Sequence, residues 1–320
     1  MKLDMAGRPP ADASLGGRFY LVSYLPTYAA ALFLLVLVWA GAPGWSGRQD
    51  HRIRFTAAWA MASHLSPGEV IMVALAVALL AVMLQPLQAA IVGLAEGSWP
   101  TWPGTTWARR WQRNRRNRLQ KAGQLPAGQK FTAGALQRAG EAGSQLRRRF
   151  PAPDHLLRPT ALGNVLAAMA DQAGRAYGFD AVIAWPRLYP VLGEQVKSLV
   201  DDRRDTLDAA VRMTATMTAT AIASFVLLVR SGWWILLALI PLGLAILAYN
   251  AAVHAALAYS ETVHVAFDLH RADLLTALRM DLPRRQDTEK ILNQQWCDLW
   301  RQGIPLPITV EYSGNNDKTT

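Results

Sequence analysis

The segment Gly232-Trp-Trp-Ile-Leu-Leu-Ala-Leu-Ile-Pro-Leu-Gly-Leu-Ala-Ile-Leu-Ala-Tyr-Asn-Ala-Ala-Val-His-Ala-Ala-Leu-Ala-Tyr-Ser260 runs for 29 residues without a formal charge. An α-helix needs about 20 mostly apolar residues to cross a hydrocarbon core of about 30 Å. Three other uncharged runs lie at 19–42, 70–94 and 213–229. The mean hydropathy of +0.10 conceals this blocky distribution. The first run is too long for the apolar region of a cleaved signal peptide and ends in tryptophan, not in a small-residue cleavage site. The expectation is an all-α membrane protein with four transmembrane helices, at about 19–42, 70–94, 213–229 and 233–259.

Charge sets the expected orientation. Of the 33 Lys and Arg residues, 19 fall between Ala95 and Arg212, whereas the turn between the third and fourth runs holds only Arg230. Basic residues near span ends stay on the cytoplasmic side, so the long loop and both termini are placed in the cytoplasm. The chain divides into a polar tail (1–17), a transmembrane hairpin (18–94) with external loop 43–69, a basic cytoplasmic domain (95–193), a long helical hairpin (194–282) and a cytoplasmic C-terminal tail (283–320). No Pro or Gly interrupts the chain from Glu194 to Arg230. Helices should therefore extend spans three and four into the cytoplasm as a stalk.

Local signals refine this frame. Ser66-Pro67-Gly68-Glu69 has the form of a helix start: Ser at the N-cap, Pro at the first position and Glu at the third. Residues 52–65 predict a short amphipathic helix. Residues 131–150 and 163–172 predict two more, and 287–301 a last one. The aromatic and apolar stretch Tyr177-Gly-Phe-Asp-Ala-Val-Ile-Ala-Trp-Pro-Arg-Leu-Tyr-Pro-Val-Leu192 predicts a compact element packed on the membrane face or the stalk, with a short strand over 180–185 as the alternative. The single cysteine, Cys297, excludes an intrachain disulfide. It suits a packed thiol, with palmitoylation as the less expected role.

The excess positive charge is concentrated in 95–158, which carries a balance of +10, equal to that of the whole chain. Its centre combines Trp107 and Trp111 with Arg109, Arg110, Arg113, Arg115, Arg116, Arg118 and Lys121. Each basic residue near an anionic leaflet contributes about 1 kcal/mol, and indole rings settle at headgroup level. An Arg-rich helix also neutralises nucleic-acid phosphates. Continuity with a span favours anionic lipid headgroups over nucleic acid.

Other polar groups carry weaker expectations. Gln85 and Gln88 flank Pro86 in the second run, and Asn250 and His254 lie in the fourth. In several copies of the chain these four residues would line a pore. Glu261, His264 and Asp268, at i, i+3 and i+7, are candidates to hold a metal or relay protons. No phosphate-binding glycine loop, no catalytic triad and no cofactor motif is present.

Three motifs point to a group of known proteins. Pro159-Thr-Ala-Leu-Gly-Asn-Val-Leu, Tyr177-Gly-Phe-Asp-Ala-Val-Ile-Ala-Trp-Pro-Arg-Leu and Asp201-Asp-Arg-Arg-Asp-Thr-Leu-Asp together resemble uncharacterised multi-pass membrane proteins of high-GC bacteria. That resemblance implies the bacterial inner membrane and brings no activity with it. The expected function is non-enzymatic: a membrane-anchored scaffold or receptor presenting its basic domain to a cytoplasmic protein partner. An oligomeric pore or membrane-disrupting effector is the alternative, and membrane-associated DNA handling the third.

Overall fold

The computed structural model describes residues 16–41, 53–83, 92–100, 102–125, 132–281 and 283–306, and every regular element among them is helical. In chain order these are α1 (Gly16–Trp39), α2 (Phe55–Ser63), α3 (Pro67–Met83), α4 (Pro103–Gly123), α5 (Ala133–Arg149), α6 (Ala161–Gln172), α7 (Ala181–Leu188), α8 (Glu194–Leu228), α9 (Leu239–Ala277) and α10 (Gln286–Gln302). The chain forms two compact units. One comprises Pro10–Ala95 and Thr206–His254, the other chiefly Glu96–Asp205 and Ala255–Thr320. The long helices α8 and α9 contribute to both.

The first unit is apolar. Leu37, Ala40, Ile53, Ala58 and Leu228 form one buried cluster, against which Phe33, Trp234 and Leu237 pack. Phe55 meets Trp234 edge-on with ring centroids 5.2 Å apart. Ala30, Met217 and Ala245 bring α1, α8 and α9 together in a second cluster. The predicted start of α3 is built as a reciprocal cap: the Ser66 amide donates to Glu69 Oε2 at 2.8 Å, and the Glu69 amide to Ser66 Oγ at 3.4 Å. Along α8 the hydroxyls of Thr214, Thr218, Thr220 and Ser224 donate to the carbonyl four residues back, at 2.7–2.8 Å. Their polarity is satisfied inside the helix, which is why an apolar helix tolerates them.

Two helices, not four, are long and apolar enough to cross a bilayer among the described residues: α8, and the continuous helical stretch Gly232–Ala277 that contains α9. The first two runs yield shorter apolar helices, Pro26–Trp39 and Pro67–Leu79. The described part of α3 stops at Met83, and Gln85, Pro86 and Gln88 lie outside the described residues. In the two long helices the most apolar window is only 39% and 28% buried. A core helix of a water-soluble protein would be largely covered. Here Ile222, Phe225, Leu239, Ile246 and Leu247 are exposed instead, a distribution that suits an apolar solvent rather than water.

The second unit packs α4, α5, α6, α7 and α10 with the ends of α8 and α9. Asn164, fully buried, braces the turn before α6. Its Oδ1 accepts from the Arg158 amide at 2.7 Å, and its Nδ2 donates to the carbonyls of Arg158 and Thr160. Thr160 caps α6 by accepting from the Gly163 amide. Residues 181–188 are helix, not the alternative strand, because Asp180 accepts the Val182 amide as an N-cap. Phe179 and Trp185 then face Phe267 of α9, with ring centroids 6.2 and 6.1 Å from it. Helix α10, set apart by the sequence division as a C-terminal tail, packs on α7 and on the short turn Arg175–Tyr177 within the same unit.

Candidate functional site

The basic run forms α4, the first arm of an antiparallel hairpin with α5. Pro103 stands in its first turn, where the missing amide costs no helical bond. Thr105, Ala108 and Gln112 bury one face, and Ala139 and Ala142 are buried on α5. Small residues allow the close approach: a Cβ on Gly123 would lie 3.4 Å from the Gly143 amide nitrogen.

Burial on that stripe turns the rest of α4 outward. At about 100° per residue, Arg110 and Lys121 lie opposite the buried face, and Trp107, Arg118 and Trp111 follow them round one side of the same outward surface. All five are exposed, Trp107 to 71% and Trp111 to 54%. The Arg115 guanidinium is 6.0 Å from the Trp111 ring. Arg109 and Arg113 are exposed on the flank. Asp154 takes two of the arginines: Arg113 Nε lies 3.6 Å from its carboxylate and stays half exposed, whereas Arg116 is held by the same carboxylate and donates to the Ala152 carbonyl, leaving its side chain 16% exposed. Sequence alone could not single out this arginine, because Asp154 is 38 residues away.

Glu261, His264 and Asp268 share one side of α9, but the structure commits each to a different partner. Glu261 Oε1 lies 3.5 Å from Arg148 Nη2. His264 Nδ1 is 2.7 Å from the Ser260 carbonyl, so that nitrogen carries the proton. Asp268 accepts from the Tyr177 hydroxyl at 2.9 Å. Among the described residues no three His, Cys, Asp or Glu side chains gather in a way that would hold a metal. The spacing places the three on one face, and partners on α5 and at Tyr177 separate their polar ends.

Asn250 and His254 are exposed one turn apart on α9. Within a single chain they do not face an interior channel. Gln85 and Gln88, the other two pore candidates, lie outside the described residues.

The polar network that seats α10 went unseen in the sequence. Arg271 on α9 donates to Glu289 at 3.0 Å and stacks its guanidinium 4.2 Å from the Tyr177 ring centre. Asn293 Nδ2 donates to the Tyr177 carbonyl at 2.8 Å. Arg301 pairs with Asp180, and Arg187 lies over Trp300 at 4.4 Å. Cys297 is buried, and its Sγ accepts the Asp180 amide at 3.3 Å. Burial pushes its thiol pKa upward, and the hydrogen bond from Asp180 only partly opposes this. Such a thiol is a packing group, inaccessible to lipidation while α10 is seated. The one sequence signal was Gly178, between two aromatic residues that both turn out to be packed.

No known protein-family model, curated protein or solved structure matches this chain.

Proposed function

We propose that the chain is a multi-pass protein of a bacterial inner membrane, crossed by α8 and α9, which extend from it as a stalk, with the shorter apolar helices of α1 and α3 beside them and both termini cytoplasmic. It acts as a scaffold that presents its cytoplasmic helical unit to a protein partner, with the α4–α5 hairpin lying on the anionic leaflet. The observation that carries this reading is the outward face of α4. Two indoles share it with Arg110, Arg118 and Lys121, while the neutralised Arg116 points elsewhere. Three basic residues on that face contribute roughly 3 kcal/mol at an anionic surface, and the flanking arginines add to it. A nucleic-acid face has less use for two exposed indoles beside apolar spans.

The test uses the full chain in proteoliposomes. Brominated phosphatidylglycerol should quench tryptophan fluorescence more than brominated phosphatidylcholine does. That excess should vanish in the Trp107→Phe/Trp111→Phe variant, and in about 1 M salt, where the screening length falls to about 3 Å. Equal excess quenching in the wild type and the variant would overturn the reading.

A second reading, a pore formed by several copies, is favoured by the exposed pair Asn250 and His254 on an otherwise apolar helix. Polar groups inside a bilayer seek partners on neighbouring helices or water. This reading expects potassium flux through proteoliposomes that falls at least tenfold, or by about 1.4 kcal/mol of conduction free energy, in Asn250→Leu/His254→Leu. Wild-type vesicles that hold a potassium gradient would exclude it.

A further inference from the structure

A cavity of about 220 Å³ opens among α5, α6 and α9, within the second unit, and nothing in the scaffold reading uses it. Its floor is apolar, formed by Ala168 and Met169 of α6 and Leu257 of α9. Arg147 and Arg148 line it from the end of α5, and Glu261 and His264 from α9. Gln172 donates to the carbonyls of Arg147 and Phe150 at 2.9 and 3.3 Å, so an amide covers the carbonyl end of α5 where it meets the cavity. The Arg148–Glu261 pair is loose at 3.5 Å, with both side chains more than three-fifths exposed. Such a pair holds its arginine weakly. His264 Nδ1 is engaged by the Ser260 carbonyl, so Nε2 is the ring nitrogen left for a ligand.

These groups combine two guanidiniums, one carboxylate and an imidazole above an apolar floor. Their net charge of one positive unit complements a phosphodiester, which carries one negative charge. Planar guanidiniums are suited to phosphate oxygens, with two parallel donors each. Position supports the same ligand. Leu257 belongs to the uncharged run, and Glu261 is the first formally charged residue after it. If α9 crosses the membrane as proposed above, the cavity stands at headgroup depth.

We propose that this cavity binds the phosphodiester headgroup of a single anionic glycerophospholipid. Arg147 and Arg148 take the phosphate oxygens. The Glu261 carboxylate and His264 Nε2 accept from headgroup hydroxyls, and an acyl chain follows Leu257 onto the apolar face of α9. The assignment rests on the membrane reading, and the α4 surface is a separate feature.

The full chain, purified in detergent and stripped of lipid, is titrated with phosphatidylglycerol, phosphatidylcholine and free glycerol phosphate, and retained ligand is counted by native mass spectrometry. One phosphatidylglycerol should be retained in preference to phosphatidylcholine. Arg147→Gln/Arg148→Gln should weaken it at least tenfold, about 1.4 kcal/mol, and both arginines are exposed, so folding should survive. Glu261→Gln should tighten it by freeing Arg148. Competition by free glycerol phosphate at similar affinity would mark a soluble phosphodiester or phosphomonoester as the ligand of the same groups. Failure of that competition marks the lipid. Equal retention by the wild type and the double arginine variant would overturn the proposal. The Trp107→Phe/Trp111→Phe variant should retain its lipid, so excess quenching that persists undiminished in that variant, with the lipid still bound, would overturn the α4 reading alone.

Discussion

Gly178→Ala is expected to unseat α10. Gly178 sits at φ +84°, in the left-handed region, and a Cβ there would run into the Lys290 carbonyl of α10. Forcing an L-residue into that region costs about 1–2 kcal/mol. The collision adds to this, because the obstructing atom belongs to the backbone and cannot rotate away. The cheapest response is for α10 to move outward, which breaks the Asn293–Tyr177 and Arg301–Asp180 contacts together. Cys297 reports the event. In the wild type it is 3% exposed, and burial raises its thiol pKa, so a maleimide should react slowly. In the variant, labelling should be faster by at least tenfold, about 1.4 kcal/mol of easier opening. An unchanged rate would mean that Gly178 is not the contact that seats α10.

Phe267→Ala should be the most damaging single truncation in the second unit. The ring is fully buried and packs against Phe179 and Trp185. It also leaves no room over Gly174, where a Cβ would lie 2.9 Å from two ring carbons. Phe→Ala at such a site costs about 3–5 kcal/mol, through lost transfer energy and the cavity left behind. Amide exchange of the full chain in detergent should show loss of protection in α6 and α7, while the Ala30–Met217–Ala245 cluster stays protected. Phe267→Leu, which restores most of the volume, should recover most of the protection. Uniform loss in both units would show that they unfold as one body.

These two positions mark where sequence reasoning stopped. Helical content was legible because uncharged runs and period-3.6 patterns are local, and so was the cap at Ser66–Glu69. The face of α4 was half legible: the run Trp107–Lys121 announced a basic helix, but not which arginine would be neutralised. That depended on Asp154, brought close only when the chain reverses between α4 and α5. The Glu261–His264–Asp268 spacing was a real helix face that failed as a cluster, because Arg148 and Tyr177 approach from other elements. The cavity between α5 and α9 joins residues more than 100 positions apart, and no pattern along the chain connects them.

Local chemistry by itself therefore determined that this protein is helical, that it carries long uncharged runs, and that its excess positive charge lies in one segment; it also suggested four spans where the structure has two helices long and apolar enough for a bilayer. Each of these depends on residues within a few turns of one another. Tertiary structure decided what those helices do with their polar groups. It gave Arg116 a partner and left Arg118 facing outward, buried Cys297 on the inner face of α10, and set Arg147 and Arg148 above the apolar floor beside Glu261. The physical reason is that a side chain's charge is written in the sequence, whereas its partner and its solvent are set by whichever distant element folds against it.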